Sequence, residues 1–218
     1  YASEQSIYIP LFQLDGAYQT ASGLYRINEG YVPGKDFFPY LGLLITWALY
    51  PIFLLAGGDM SASVFAAHFM VFIGLSFSLF AFCYFSRSSN AVISVIFSLF
   101  CSFFIICTFD TLNIVLFERV TPGNSLRPLR ALISPAAFTF MFIIVNKLTD
   151  IKRQVIAASF ICGIALSWSN DFGYPTAMIS GLLYIFCLKR QNSLNIKTFL
   201  CFGSMCVIWY VLLSAAMT

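Results

Sequence analysis

Carboxylates and guanidinium groups are scarce in this chain, and most stand in three polar stretches between apolar runs. The first, LDGAYQTASGLYRINEGYVPGKDFFPY at residues 14–40, carries Asp15, Glu29 and Asp36 together with Arg26 and Lys35. The second, FDTLNIVLFERVTPGNSLRPLR, carries Asp110 and Glu118, then Arg119, Arg127 and Arg130. The third is the short WSNDFGYPT turn with Asp171. A carboxylate within hydrogen-bond reach of a hydroxyl removes its proton, and guanidinium groups grip phosphate oxygens through paired hydrogen bonds. The combined chemistry is attack by a hydroxyl with departure of a phosphate. Asp110 ends an apolar run, which puts an ionisable group near a membrane boundary, where it is costly and therefore a functional candidate.

Plainer roles stay open for each of these residues. Asp15 stands where it could cap a helix. The arginines could meet lipid headgroups, or pair with Glu118. Asn170 and Asp171 before Gly173 and Pro175 fit a helix-to-helix turn, with Trp168 and Tyr174 suited to a membrane interface. His68 has no acid or Cys near it in sequence and reads as a hydrogen-bonded structural residue. The seven cysteines all fall inside apolar runs without a CxxC pair, and read as small apolar filler. Neither a nucleotide-binding loop nor GxSxG, HExxH or a Cys/His metal array is present.

The elements that must position these groups are helices in a membrane. Hydrophobic residues make up 60% of the chain and charged ones 10%. Mean hydropathy is +0.85. A soluble domain has about a quarter charged residues, so the composition predicts an all-α, polytopic transmembrane bundle. A net charge of +3 scattered between apolar runs excludes a nucleic-acid partner. Apolar runs at 41–56, 61–85, 91–109, 132–146, 155–169, 175–188 and 198–217 are the predicted helices. The opening on Tyr1 and the close within WYVLLSAAMT lead us to expect an internal portion of a longer chain.

Segment 41–56 has Pro39 before it, Pro51 within it and Gly57-Gly58 after it, and is expected to lie at the interface or to re-enter rather than cross. Arg87, Lys147, Lys152, Arg153, Lys189, Arg190 and Lys197 then face the cytoplasm with Asp150, while the other eight of the nine acids collect outside. The expected organisation is an extracytoplasmic loop over 1–40 with an interfacial helix, a juxtamembrane or re-entrant segment over 41–58, and a bundle of about six spans over 59–218. Within the loop, Leu14, Ala17, Tyr18, Ala21, Leu24 and Tyr25 are the expected apolar face of a helix lying along the membrane.

These residues resemble a known family. LDGAYQTASGLYRINEGYVPGKDFFPYLGLL resembles the first extracytoplasmic loop of GT-C class membrane glycosyltransferases, and FDTLNIV at 109–115 resembles the second acidic motif of oligosaccharyltransferase catalytic subunits. Those subunits carry another acid two residues on, where this chain has Leu112. The resemblance implies transfer of a sugar, hexosyl or pentosyl, from a polyprenyl-phosphate carrier to a lipid, glycan or protein acceptor at the outer face of the plasma (inner) membrane, in cell-envelope glycan synthesis. It makes Asp15 and Asp110 the catalytic acids and the ligands of a divalent cation, Mg or Mn, where one takes part. Asp36, Arg119, Arg127, Arg130 and Asp171 become substrate-binding residues. A transporter or a noncatalytic membrane scaffold is the competing reading; transporters, however, usually hold their acids at the bilayer midplane in broken helices.

Overall fold

The computed structural model describes residues 15–87, 91–111 and 127–218. It is all-α, and the described residues contain no strand, only an isolated bridge between Pro33 and Phe37. In chain order the helices are α1 (Asp15–Asn28), α2 (Leu43–Leu55), α3 (Met60–Arg87), α4 (Ala91–Thr111), α5 (Arg127–Ala131), α6 (Ile133–Lys147), α7 (Ile151–Trp168), α8 (Gly173–Arg190) and α9 (Ile196–Met217). Apolar sequence of this length becomes helix because lipid offers backbone groups no partners, so each N–H must find a carbonyl in its own segment. Polar residues mark where helices start. Asp150 accepts from the Lys152 amide at 3.0 Å, Asn195 from the Thr198 amide at 2.8 Å, and Asp59 from the Ala62 amide at 2.7 Å.

Among the described residues, four stretches are long and apolar enough to cross a membrane: Met60–Phe85, Leu129–Lys147, Ile151–Trp168 and Ile196–Met217. They point to a membrane protein. Helix α2 is different, because its 13 residues span only about 20 Å against a hydrocarbon core of about 30 Å. Pro51 lies inside it.

Aromatic pairs give the directions of the helices. Phe77 meets Phe140 at 5.8 Å and Phe82 meets Phe142 at 5.7 Å, so α3 and α6 run the same way. Helices α7 and α9 also lie side by side, with Phe160 against Trp209 at 5.0 Å and α8 returning between their ends. Helix α4 packs chiefly on α3, and the stripe it buries is Ser94, Ser98 and Ser102. Small residues let helices approach closely where lipid supplies no hydrophobic drive between them. The Ser98 hydroxyl donates to the Ser94 carbonyl, which keeps that polar atom satisfied within its own helix. The opposite face of α4, with Ile93, Ile96, Phe97 and Phe100, is exposed, as suits contact with acyl chains.

The core has two parts. Leu24, Leu41, Ile45, Leu49, Phe53, Ala66, Val71 and Leu129 join α1, α2 and the first half of α3 to α5. Ile144, Val155, Cys162, Ala165, Tyr184 and Phe202 join α6 to α9. Trp168 packs against both. One end of the bundle therefore gathers α1, the 29–42 loop, α2, the 56–59 turn, α5, the 169–172 turn and the last turn of α9. The other end carries the 148–150 and 191–195 connections.

Candidate functional site

The end of the bundle with α1 and α2 is built inward from its apolar contacts. Helix α1 buries Thr20, Ala21, Leu24 and Ile27, in which Leu24 stands three or four positions from each of the others, so they share one helical face. Full burial of Leu24 stabilises this docking by about 1.5–3 kcal/mol. Ala21 and Leu24 belong to the expected apolar face, and Thr20 and Ile27 join them in the buried stripe. Tyr18 is 57% exposed and Tyr25 36%, and Tyr25 touches only the edge of Phe53, at 5.6 Å between ring centres. The aliphatic side chains of Leu24 and Ile27 go inside, and the phenols of Tyr18 and Tyr25 stay outside.

After α1 the chain turns through Gly30, and the 32–37 segment closes on itself. Asp36 accepts from the Val32 amide at 2.8 Å, the Asp36 amide donates to the Val32 carbonyl at 2.8 Å, and the Gly34 amide donates to the Phe37 carbonyl at 2.7 Å. Phe37 is buried, and the Arg26 guanidinium lies 5.3 Å from the centre of its ring. Asp36 thus spends one carboxylate oxygen shaping the loop, and its side chain is otherwise exposed.

Gly42 pins this loop to the rest of the site. Its φ of 125° suits glycine, and a Cβ there would lie 2.2 Å from the Trp168 carbonyl oxygen. On the other side Trp168 donates its indole N–H to the Leu129 carbonyl at 3.1 Å, and Trp47 donates to the Met217 carbonyl at 2.9 Å. The 29–42 loop, α5 and the 169–172 turn are therefore in direct contact around Trp168.

The structure brings two of the predicted site residues together. Arg130 and Asp171 form an ion pair between α5 and the 169–172 turn. Arg130 is 9% exposed and its guanidinium sits 5.7 Å from the Phe172 ring centre, while Asp171 also accepts from the Phe172 amide at 3.0 Å. Nearby, the Ser134 and Thr176 hydroxyls meet at 2.7 Å. Arg130 is thus part of the wall that holds the turn against α5.

The backbones of Asp15 and Asp110 are helical, at the first residue of α1 and near the last of α4, and Arg127 opens α5. The side chains of Asp15, Asp110 and Arg127, and all of Arg119 and Glu118, lie outside the described residues. Among the described residues no group of three or more His, Cys, Asp or Glu side chains is placed to hold a metal ion.

A feature that sequence reasoning missed is an open groove of about 520 Å³ between α2 and α3. Ile52, Leu55, Ala56, Asp59, Phe65 and Phe69 are among the residues that line it. The readable signal was Gly57-Gly58. Both adopt positive φ, 112° and 71°, and they reverse the chain within the 56–59 turn so that α2 and α3 splay from that point. Against known proteins, no family model, no curated protein and no solved structure matches this chain.

Proposed function

We propose that this chain is the membrane part of a GT-C type glycosyltransferase, which moves a sugar from a polyprenyl-phosphate carrier to a lipid, glycan or protein acceptor on the extracytoplasmic side of the plasma membrane. The observation that carries this reading is the contact of three polar segments at one end of an apolar bundle, around Trp168, together with a mostly apolar groove between α2 and α3. A lipid-linked donor needs both surfaces, a greasy one for its chain and a polar one for its headgroup.

In this reading Asp15 takes the proton from the acceptor hydroxyl, whose oxygen attacks the anomeric carbon. The bond from that carbon to the carrier phosphate breaks, and the phosphate leaves with the electron pair. Arg119 and Arg127 stabilise the charge that develops on it. Asp110 positions the acceptor. Arg130, Asp171 and Asp36 serve by holding the wall and the loop in place. A divalent cation, where one takes part, would draw on Asp15 and Asp110, and no step above passes through it.

One observation favours a noncatalytic scaffold instead, namely that Asp36 and Asp171 are both engaged in structural contacts. A panel of radiolabelled polyprenyl-phosphate sugars, offered to membranes containing the chain, separates the two. Consumption of one donor above the level in membranes lacking the chain supports the enzyme. If no donor is consumed, the scaffold or transporter reading replaces it.

A further inference from the structure

The end of the bundle away from α1 and α2 carries a concentration of positive charge. Lys147 closes α6, Lys152 and Arg153 open α7, Lys189 and Arg190 close α8, and Lys197 opens α9. All six are exposed. The helix ends that bear them are neighbours, because Ile144, Leu148, Ile151, Val155, Leu188 and Leu194 beneath them belong to one packed cluster. The described acid in this cluster of helix ends is Asp150. It is largely committed, since it caps α7 through the Lys152 amide and lies 3.6 Å from the Arg153 guanidinium.

Half of this charge has an internal explanation. Lys147, Lys189 and Arg190 stand in last turns, where the helix dipole favours a cation. Lys152, Arg153 and Lys197 stand in first turns, where the same dipole opposes them and favours an anion. Three cations stand against the local field at the N-termini of two adjacent helices, and the one described acid beside them, Asp150, offsets a single charge, so the patch suits a negative charge from outside the chain. Helices α7 and α9 are long and apolar enough to cross a membrane, and a bundle so embedded would hold these turns at the depth of lipid headgroups.

We propose that this end is a docking surface for anionic phospholipid headgroups, with Lys152, Arg153 and Lys197 as its contact residues. The proposal rests on the bundle being embedded in a membrane and is independent of the sugar-transfer reaction. Each basic residue at an anionic surface strengthens binding by about fivefold, with the effect falling within a Debye length as salt rises.

The test uses the whole chain, purified in detergent and given equal amounts of phosphatidylglycerol and phosphatidylcholine with identical acyl chains. Native mass spectrometry reads the ratio of the two lipids retained. The wild type is expected to retain phosphatidylglycerol in excess, and Lys152→Gln/Arg153→Gln/Lys197→Gln to bring the ratio near one. Lys152→Arg/Arg153→Lys/Lys197→Arg should keep the excess. Equal retention by the wild type, or an undiminished excess in the Gln variant, overturns the proposal. If the Gln variant loses helix content by circular dichroism, the single Lys197→Gln change is read by the same criterion.

Discussion

Replacing Asp171 by Asn removes one negative charge and little else, because the amide oxygen still accepts from the Phe172 amide that Asp171 serves at 3.0 Å. What it leaves behind is a guanidinium at Arg130 that is 9% exposed. An exposed ion pair contributes about 0–1 kcal/mol, whereas isolating a fully buried charge costs about 3–5 kcal/mol. Here the side chains are 11% and 45% exposed, so one partner is desolvated and the other still meets water. The pair should therefore couple by about 2 kcal/mol, or roughly thirtyfold in the folding equilibrium. Stacking on Phe172 survives the change and softens the loss. The assay is a double-mutant cycle of Asp171→Asn and Arg130→Met, with unfolding followed by SDS titration in mixed micelles. Each single variant should lose stability, and the double variant should lose less than their sum. A coupling below about 0.5 kcal/mol would refute the reasoning, since neighbours in a real network interact by about 0.5–3 kcal/mol.

Other consequences follow from single contacts. Gly42→Ala places a Cβ 2.2 Å from the Trp168 carbonyl oxygen at a φ of 125°, and should destabilise by at least about 1–3 kcal/mol in the same titration. Asp36→Asn retains an acceptor for the Val32 amide, so it should leave stability nearly unchanged, whereas Asp36→Ala should cost about 1 kcal/mol; equal losses would disprove a purely hydrogen-bonding role. The two ends should also differ in access. A cysteine at Lys35 should react with an impermeant maleimide on intact cells, and one at Asn192 only after permeabilisation, with the reverse pattern inverting the orientation.

Helix positions were readable because each apolar run had to become helix in lipid, and seven runs predicted from hydropathy correspond to α2, α3, α4, α6, α7, α8 and α9. Boundaries shifted outward by a few residues at several ends, as with α7, which starts at Ile151 rather than 155 because Asp150 caps it. The roll of α1 was less legible. Its sequence allows two overlapping stripes, and only the surface it docks on, Leu49, Phe53 and Ala66 among others, selects Ile27 over Tyr18. Arg130 and Asp171 stand 41 positions apart, so no local pattern could pair them. Asp36 was visible as a carboxylate near Gly34 and Pro39, but its amide partner depended on the loop closing. The place of the groove was marked by Gly57-Gly58, but its volume depends on how two helices pack, which no single residue sets.

The proposed sugar transfer by the carboxylates at the α1 and α4 termini is put to the test by one comparison. Membranes with matched amounts of wild type, Asp15→Asn, Asp110→Asn and Asp150→Asn are given the donor sugar that the panel identifies, and transferred label is counted. Transfer should fall about 10²–10⁴-fold in Asp15→Asn, as expected for a missing general base, fall clearly in Asp110→Asn, and stay normal in Asp150→Asn at the basic end. Transfer at the wild-type rate in both Asp15→Asn and Asp110→Asn would contradict it.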